Sequence, residues 1–201
     1  MGLRRLASFR STVAVFPAAL LVVLAVFHMA GADKLASLRY DRDAVHSGES
    51  WRLVTGHLVH ADAVHLAWNL FGVLLVAFLF AREYTWRQWV AILLLSTAAT
   101  DLGFLLLEPQ LEWYVGFSGV LHGLMAAGLV AWLRTTRDPL TWIVAGLFAA
   151  KLAWEHLVGA LPFTAATLSL PVVHEAHTYG AIGGLLAGLA LRRRTPGPAS
   201  L

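Results

Sequence analysis

Apolar residues run along this chain in six long stretches, roughly 13–30, 57–80, 86–107, 116–133, 139–160 and 173–191. A helix needs about 20 apolar residues to cross the hydrocarbon of a bilayer. The stretches are close to that length, so the pattern predicts six membrane-spanning helices. Most connections are short. The longest, about 31–56, is polar and holds Arg39, Arg42, Trp51 and Arg52. The expected fold is all-α: one polytopic domain over 1–201, with its helical core at about 13–191 and a basic, flexible cytoplasmic tail at 192–201.

Composition agrees with the pattern. Of 201 residues, 58% are hydrophobic and 13% charged, against about 25% charged in soluble domains. Mean hydropathy is +0.67. A soluble enzyme and a disordered chain are both excluded. There is no cysteine, which removes disulfides, a thiolate nucleophile and Cys-ligated metals. The formal charge is +3, and the placement of the basic residues explains it. With both termini cytoplasmic, the inner side holds Arg4, Arg5, Arg10, Arg82, Arg87, Arg134, Arg137 and Arg192 to Arg194, which is 10 of the 15 Lys and Arg. Lys34, Arg39, Arg42 and Arg52 fall outside, and Lys151 lies within a span. Basic residues accumulate on the cytoplasmic side of membrane proteins, where they meet inner-leaflet lipid rather than nucleic acid. Residues 1–32 fit two readings. Arg4, Arg5, an apolar run and Ala30-Gly31-Ala32 also match a cleavable signal peptide. The expected outcome is a retained first helix, because the run is long for a signal.

Polar side chains at membrane depth are costly and mark function by default. Distance to the cytoplasmic charges places them. His65 and Asn69 stand 17 and 13 residues before Arg82, about 25 and 20 Å along a helix. Ser118 is 16 residues before Arg134, and His177 is 15 before Arg192, about 24 and 22 Å. Four polar groups from three helices thus share one depth in the outer part of the bilayer. Their faces agree as well. His65, Asn69 and Gly72 follow i, i+4, i+7, and His177, Gly180, Gly184 and Gly188 follow i, i+3, i+7, i+11. Gly119 and Gly123 beside Ser118 repeat the four-residue spacing that lets membrane helices approach closely.

A serine hydroxyl becomes a nucleophile when a base takes its proton, and His177 can be that base at about 2.6–3.2 Å. Glu175 is two residues from His177 and points elsewhere on a helix, so a Ser118–His177 dyad is the simplest reading. Attack on a peptide carbonyl creates an oxyanion that needs donors. The Asn69 amide, a His65 N–H and the backbone N–H of Ser118 suit that need.

These residues resemble those of rhomboid intramembrane serine proteases. Gly116-Phe117-Ser118-Gly119 matches the GxSG motif at the start of the fourth helix. Ala176-His177-Thr178-Tyr179-Gly180 with Gly184 matches the AHxxGxxxG pattern of the sixth. His60, His65 and Asn69 match HxxxxHxxxN of the second, and Trp51-Arg52 matches the WR of the first loop. The match runs over about 50–190 in the family's order. It implies a six-helix bundle with Ser118 as nucleophile and His177 as general base. It also implies His65 and Asn69 as oxyanion donors, His60 as a supporting second-helix residue, and no metal or cofactor. One departure stands out: many rhomboids carry Tyr four residues after the serine, packed on the catalytic histidine, where this chain has His122.

Ser118-Gly119-Val120-Leu121-His122-Gly123-Leu124 together with Glu175-Ala176-His177 resembles the rhombosortase branch. That branch implies a bacterial cytoplasmic-membrane protein. It also implies transmembrane substrates with a C-terminal Gly-Gly motif, a helix and a basic tail. Other residues read as structural. Asp101 is expected to be a structural hydrogen-bonding group or a water-cavity residue, Lys151 and Glu155 an i, i+4 pair, and His174 and Glu175 hydrated. Trp51 and Arg52 are expected to anchor the first loop at the interface. Competing readings are a generic rhomboid protease with other transmembrane substrates, a non-catalytic rhomboid-like client binder, and a metal or haem protein using His57, His60, His65, His122, His174 and His177. The last would leave the serine motif idle.

Overall fold

In a computed structural model, residues 3–191 are described; the tail 192–201 lies outside them. The elements in chain order are α1 (Leu3–Met29), α2 (Ala32–Leu38), β1 (Tyr40–Asp41), α3 (Arg42–His46), α4 (Arg52–Thr55), α5 (Ala63–Phe80), α6 (Trp86–Leu107), β2 (Trp113–Tyr114), α7 (Ser118–Leu133), α8 (Pro139–Leu157), α9 (Pro162–Thr167) and α10 (His174–Ala190). Six of these, α1, α5, α6, α7, α8 and α10, are long helices and coincide with the six apolar stretches. By length and composition alone, α5 and α6 can cross a membrane, while Ala14–Met29 and α7 are shorter apolar helices.

Local signals fix several helix starts. The Asp62 carboxylate caps α5 by accepting from the His65 N–H at 2.8 Å. Thr85 and Gln88 form a reciprocal capping box at α6. Asp138 caps α8, with Pro139 in the first turn. The Asp62 cap corrects the second apolar stretch, which was expected to be helical from 57. Residues 57–62 instead form a buried turn, and His57 and His60 precede the helix.

α10 and α7 form the centre of the bundle, with α6 behind them and α5 on the other side of α7. Large apolar side chains face outward along the helices, among them Phe78, Leu106 and Leu157. A surface of this kind suits lipid rather than water. Inside, Leu24, Phe80, Ile92, Val120, Leu124 and Ala127 form one apolar core. Leu20 and Leu24 of α1 belong to it, so the first helix is packed into the bundle. A second cluster of Tyr40, Phe104, Tyr114 and Ala176 lies under the loops at the opposite end.

The polar connection 31–56 is more structured than its composition suggests. β1 and β2 pair antiparallel, Tyr40 with Tyr114 and Asp41 with Trp113, which adds a small ribbon to the expected all-α fold. Two arginines organise the rest. Arg52 is buried and donates to the carbonyls of Ala36 and Arg39 and to the Glu49 carboxylate. Arg42 donates to the carbonyls of Phe104, Glu108 and Leu111. Guanidinium groups carry five donors, enough to satisfy loop carbonyls that no helix or sheet ladder serves. Trp51 is half exposed beside them, its indole N–H 3.4 Å from the Ser37 carbonyl.

The α7–α10 contact depends on glycine. A Cβ on Gly119 would lie 2.8 Å from the Ala176 carbonyl oxygen, and one on Gly180 or Gly184 would collide with the backbone of Gly119 or Gly123. In lipid, helices associate through such van der Waals contact rather than through the hydrophobic effect. Gly184→Val should therefore lower the thermal unfolding midpoint in detergent, by an overpacking cost of about 1–3 kcal/mol. Gly146→Val, at a position with open space around it, should leave the midpoint nearly unchanged. Equal effects from the two substitutions would contradict the close approach.

Candidate active site

The GxSG segment crosses from loop to helix. Gly116 has φ of 121°, a left-handed conformation that side chains disfavour. Its N–H donates to the Gly56 carbonyl at 3.0 Å, and its own carbonyl accepts from the Tyr114 hydroxyl at 2.6 Å. The chain then turns into α7, with Ser118 as the first helical residue. The first N–H groups of a helix have no intrahelical acceptors, so the backbone N–H of Ser118 has none within α7.

Ser118 Oγ lies 2.9 Å from His177 Nε2. His177 is buried one turn into α10, on the face that carries Gly180 and Gly184. On its other side, His177 Nδ1 is 2.9 Å from Oε2 of Glu155. A carboxylate from α8 thus also meets the histidine, beside the Ser118–His177 contact. The pairing of Lys151 with Glu155 is present too, with Lys151 Nζ 2.5 Å from the same Oε2. The i, i+4 spacing offers Lys151 as a sufficient partner and gives no sign of the second one. Depth could have found it: Glu155 is 16 residues beyond Pro139, about 24 Å along the helix, which is the depth of Ser118. Glu175 points away as expected, toward His174 at 3.5 Å.

His122 occupies the position four residues after the serine. Its ring stacks on that of His177, with centroids 4.0 Å apart and planes 17° apart, and on Phe148 behind. Its hydrogen bond goes to the Ser118 carbonyl, 2.7 Å from Nδ1. A carbonyl only accepts, so the proton of His122 sits on Nδ1.

His65 and Asn69 line the same cavity as Ser118 and His177. The His65 ring lies against Gly116, where a Cβ would be 2.6 Å from its Cε1 and Nε2. Asn69 is buried, and its amide nitrogen donates to the His65 carbonyl at 2.9 Å. That nitrogen has two hydrogens, so a second remains beyond the helix bond. His60 is buried in the turn before α5, its ring edge-on to His65 at 5.1 Å. It therefore supports His65 from a loop, not from the second helix as the motif match implied. His57 is bonded to Asp101 at 3.0 Å, the structural role expected of that aspartate.

The cavity has a volume of about 390 Å³. Thr164 and Leu168 to Val173, from the segment 158–173, form part of its lining. Phe163 packs edge-on to Trp68, and the Ser169 hydroxyl donates to the Asp62 carboxylate. The Ser169 hydroxyl and the backbone N–H of His65 hold that carboxyl below the usual range.

His122, Glu155 and His177 lie close enough together for one metal ion. Imidazole lone pairs lie in the ring plane, however, and two rings stacked nearly parallel do not aim them at one point. His57 and His174 are each engaged elsewhere. The arrangement suits proton transfer better than metal ligation.

The Rhomboid domain model matches residues 47–194, and the chain belongs to the rhomboid family. Its members are membrane-embedded and generally act as intramembrane serine proteases. The chain is 29% identical over 160 residues to RHOMBOID-like protein 6, mitochondrial, of Arabidopsis thaliana, covering 79% of this chain and 48% of the relative. It is 28% identical over 160 residues to RHOMBOID-like protein 2 of the same plant, covering 79% and 46%. The chain spans about half the length of these curated relatives.

Gly116 offers a local test. Gly116→Ala combines a disfavoured φ with collision against the His65 ring, whereas Gly159, also at positive φ (103°), has open space around it. Gly116→Ala should lower the unfolding midpoint clearly more than Gly159→Ala. Equal shifts would mean that His65 does not rest on Gly116.

Proposed function

We propose that this protein is an intramembrane serine protease with Ser118 as nucleophile and His177 as general base. The observation that carries the reading is the 2.9 Å contact between Ser118 Oγ and His177 Nε2 in a cavity that His65 and Asn69 also line. Six membrane spans with both termini cytoplasmic put that cavity toward the outer face. Transmembrane proteins are the substrates, cut near the outer surface.

The chemistry follows from the geometry. As Oγ attacks the scissile carbonyl carbon, its proton passes to Nε2. The carbonyl electrons move onto oxygen, and the oxyanion is stabilised by the Ser118 backbone N–H, the spare Asn69 hydrogen and a His65 N–H. His177 then protonates the departing amine as the C–N bond breaks, leaving an acyl-enzyme for water to hydrolyse. Gly116 and Gly119 keep the turn and the helix contact open enough for this, and Gly180 does so from α10. His122 buttresses the His177 ring by stacking where many family members use tyrosine.

The resemblance of residues 118–124 and 175–177 to rhombosortases supports a narrower reading. The substrates would then be exported proteins with C-terminal Gly-Gly anchors, processed in a bacterial cytoplasmic membrane.

Labelling by a fluorophosphonate probe in mild detergent tests the reading. Wild-type protein should label, and Ser118→Ala and His177→Ala should not. A folded wild type that stays unlabelled and cleaves no transmembrane substrate would favour a non-catalytic client binder. Asn69→Ala should lower kcat by about 10²–10³ with little change in KM, because an oxyanion donor acts in the transition state. A rise in KM at unchanged kcat would remove Asn69 from that role.

A further inference from the structure

We propose that Glu155 is the positioning residue of His177, so that the site is a Ser118–His177–Glu155 triad spanning α7, α10 and α8. The inference rests on the protease reading above and adds a function for a carboxylate on a third helix.

Hydrogen-bond polarity carries the argument. An ionised carboxylate only accepts, so the 2.9 Å contact at Glu155 Oε2 puts the proton of neutral His177 on Nδ1. The bond at one ring nitrogen sets the state of the other. Nε2 is then left with a lone pair, 2.9 Å from Ser118 Oγ. That is the tautomer a general base requires. With the proton on Nε2 instead, the ring would donate to the hydroxyl and could not accept its hydrogen. When Oγ attacks, both ring nitrogens carry protons, and the new positive charge sits against the carboxylate. When the amine leaves with the Nε2 proton, the ring returns to its starting tautomer with charges balanced.

Two further observations separate this from an ordinary i, i+4 ion pair. Glu155 is only 1% exposed, whereas Lys–Glu pairs on helices normally face outward. Moreover, Lys151 and His177 converge on the same oxygen, Oε2, while Oε1 is buried with no hydrogen-bond partner. A lone buried carboxylate would be costly. Lys151 supplies the counter-ion that keeps it ionised, and the histidine receives the benefit.

The test is ¹⁵N NMR of the full chain in detergent with labelled histidine, the His177 signals being assigned by their loss in His177→Gln. The wild type should carry the His177 proton on Nδ1. Glu155→Leu, which fills the space without an acceptor, should move it to Nε2. Fluorophosphonate labelling should also slow by roughly a hundredfold or more, as when a triad loses its correct tautomer. A folded Glu155→Leu protein with unchanged tautomer and labelling rate would overturn the proposal. If that variant does not fold, the wild-type spectrum decides, because a proton on Nε2 is incompatible with the triad. A wild type that shows the Nδ1 proton but never labels would sink the protease reading and leave the Glu155–His177 arrangement standing.

Discussion

Ser118 and His177 share a hydrogen bond because α7 and α10 nearly touch, backbone to backbone. The carbonyl of Gly119 faces Gly180, and that of Gly123 faces Gly184, with no room for a side chain between. Interaxial distances between packed helices are usually 8–10 Å and depend on the side chains at the contact. Here no side chain lies between the two backbones, and Ser118 and His177 face one another across that contact. The glycines set the separation, and the remaining features of the site adjust orientation around it: the Gly116 turn, the His122 stack and the Glu155 contact.

The loops form the second level of the design. β1 and β2 and the Arg42 fork tie the connection before α5 to the chain between α6 and α7, and the buried Arg52 holds that connection together internally. Through Gly56 and Gly116 this frame reaches the turn that presents Ser118. A nucleophile on a first helical residue is only as well placed as the chain leading into it. Here that chain is held by charge-assisted bonds to carbonyls rather than by packing alone.

Much of this was legible in the sequence, for physical reasons. A lipid-facing helix must be apolar over its whole length, so the runs at 86–107 and 139–160 marked α6 and α8 closely. Arginine placement set a ruler along each helix, and that ruler brought His65, Asn69, Ser118 and His177 to one level. The ribbon and the arginine forks were not legible, because bonds from side chains to distant carbonyls leave no periodic trace. Nor was the contact of Glu155, since i, i+4 spacing offered Lys151 as a sufficient partner and says nothing about which way α8 turns. His60 was assigned to a helix because apolarity continues through 57–62, while the Asp62 cap stops the helix short of it.

α8 lies at the margin of the bundle. Of its 19 residues only Thr141 and Glu155 are buried. Near the site it meets the bundle through the Phe148 stack on His122 and the Glu155 bond to His177. A hydrogen bond from a neutral ring to a carboxylate strengthens as the local dielectric falls. Glu155 and His177 both line the cavity, so whatever fills the cavity sets the dielectric around that bond. Solvation of the cavity thus becomes a coupling variable: an occupant that dries the site also reinforces the wall against which it lies.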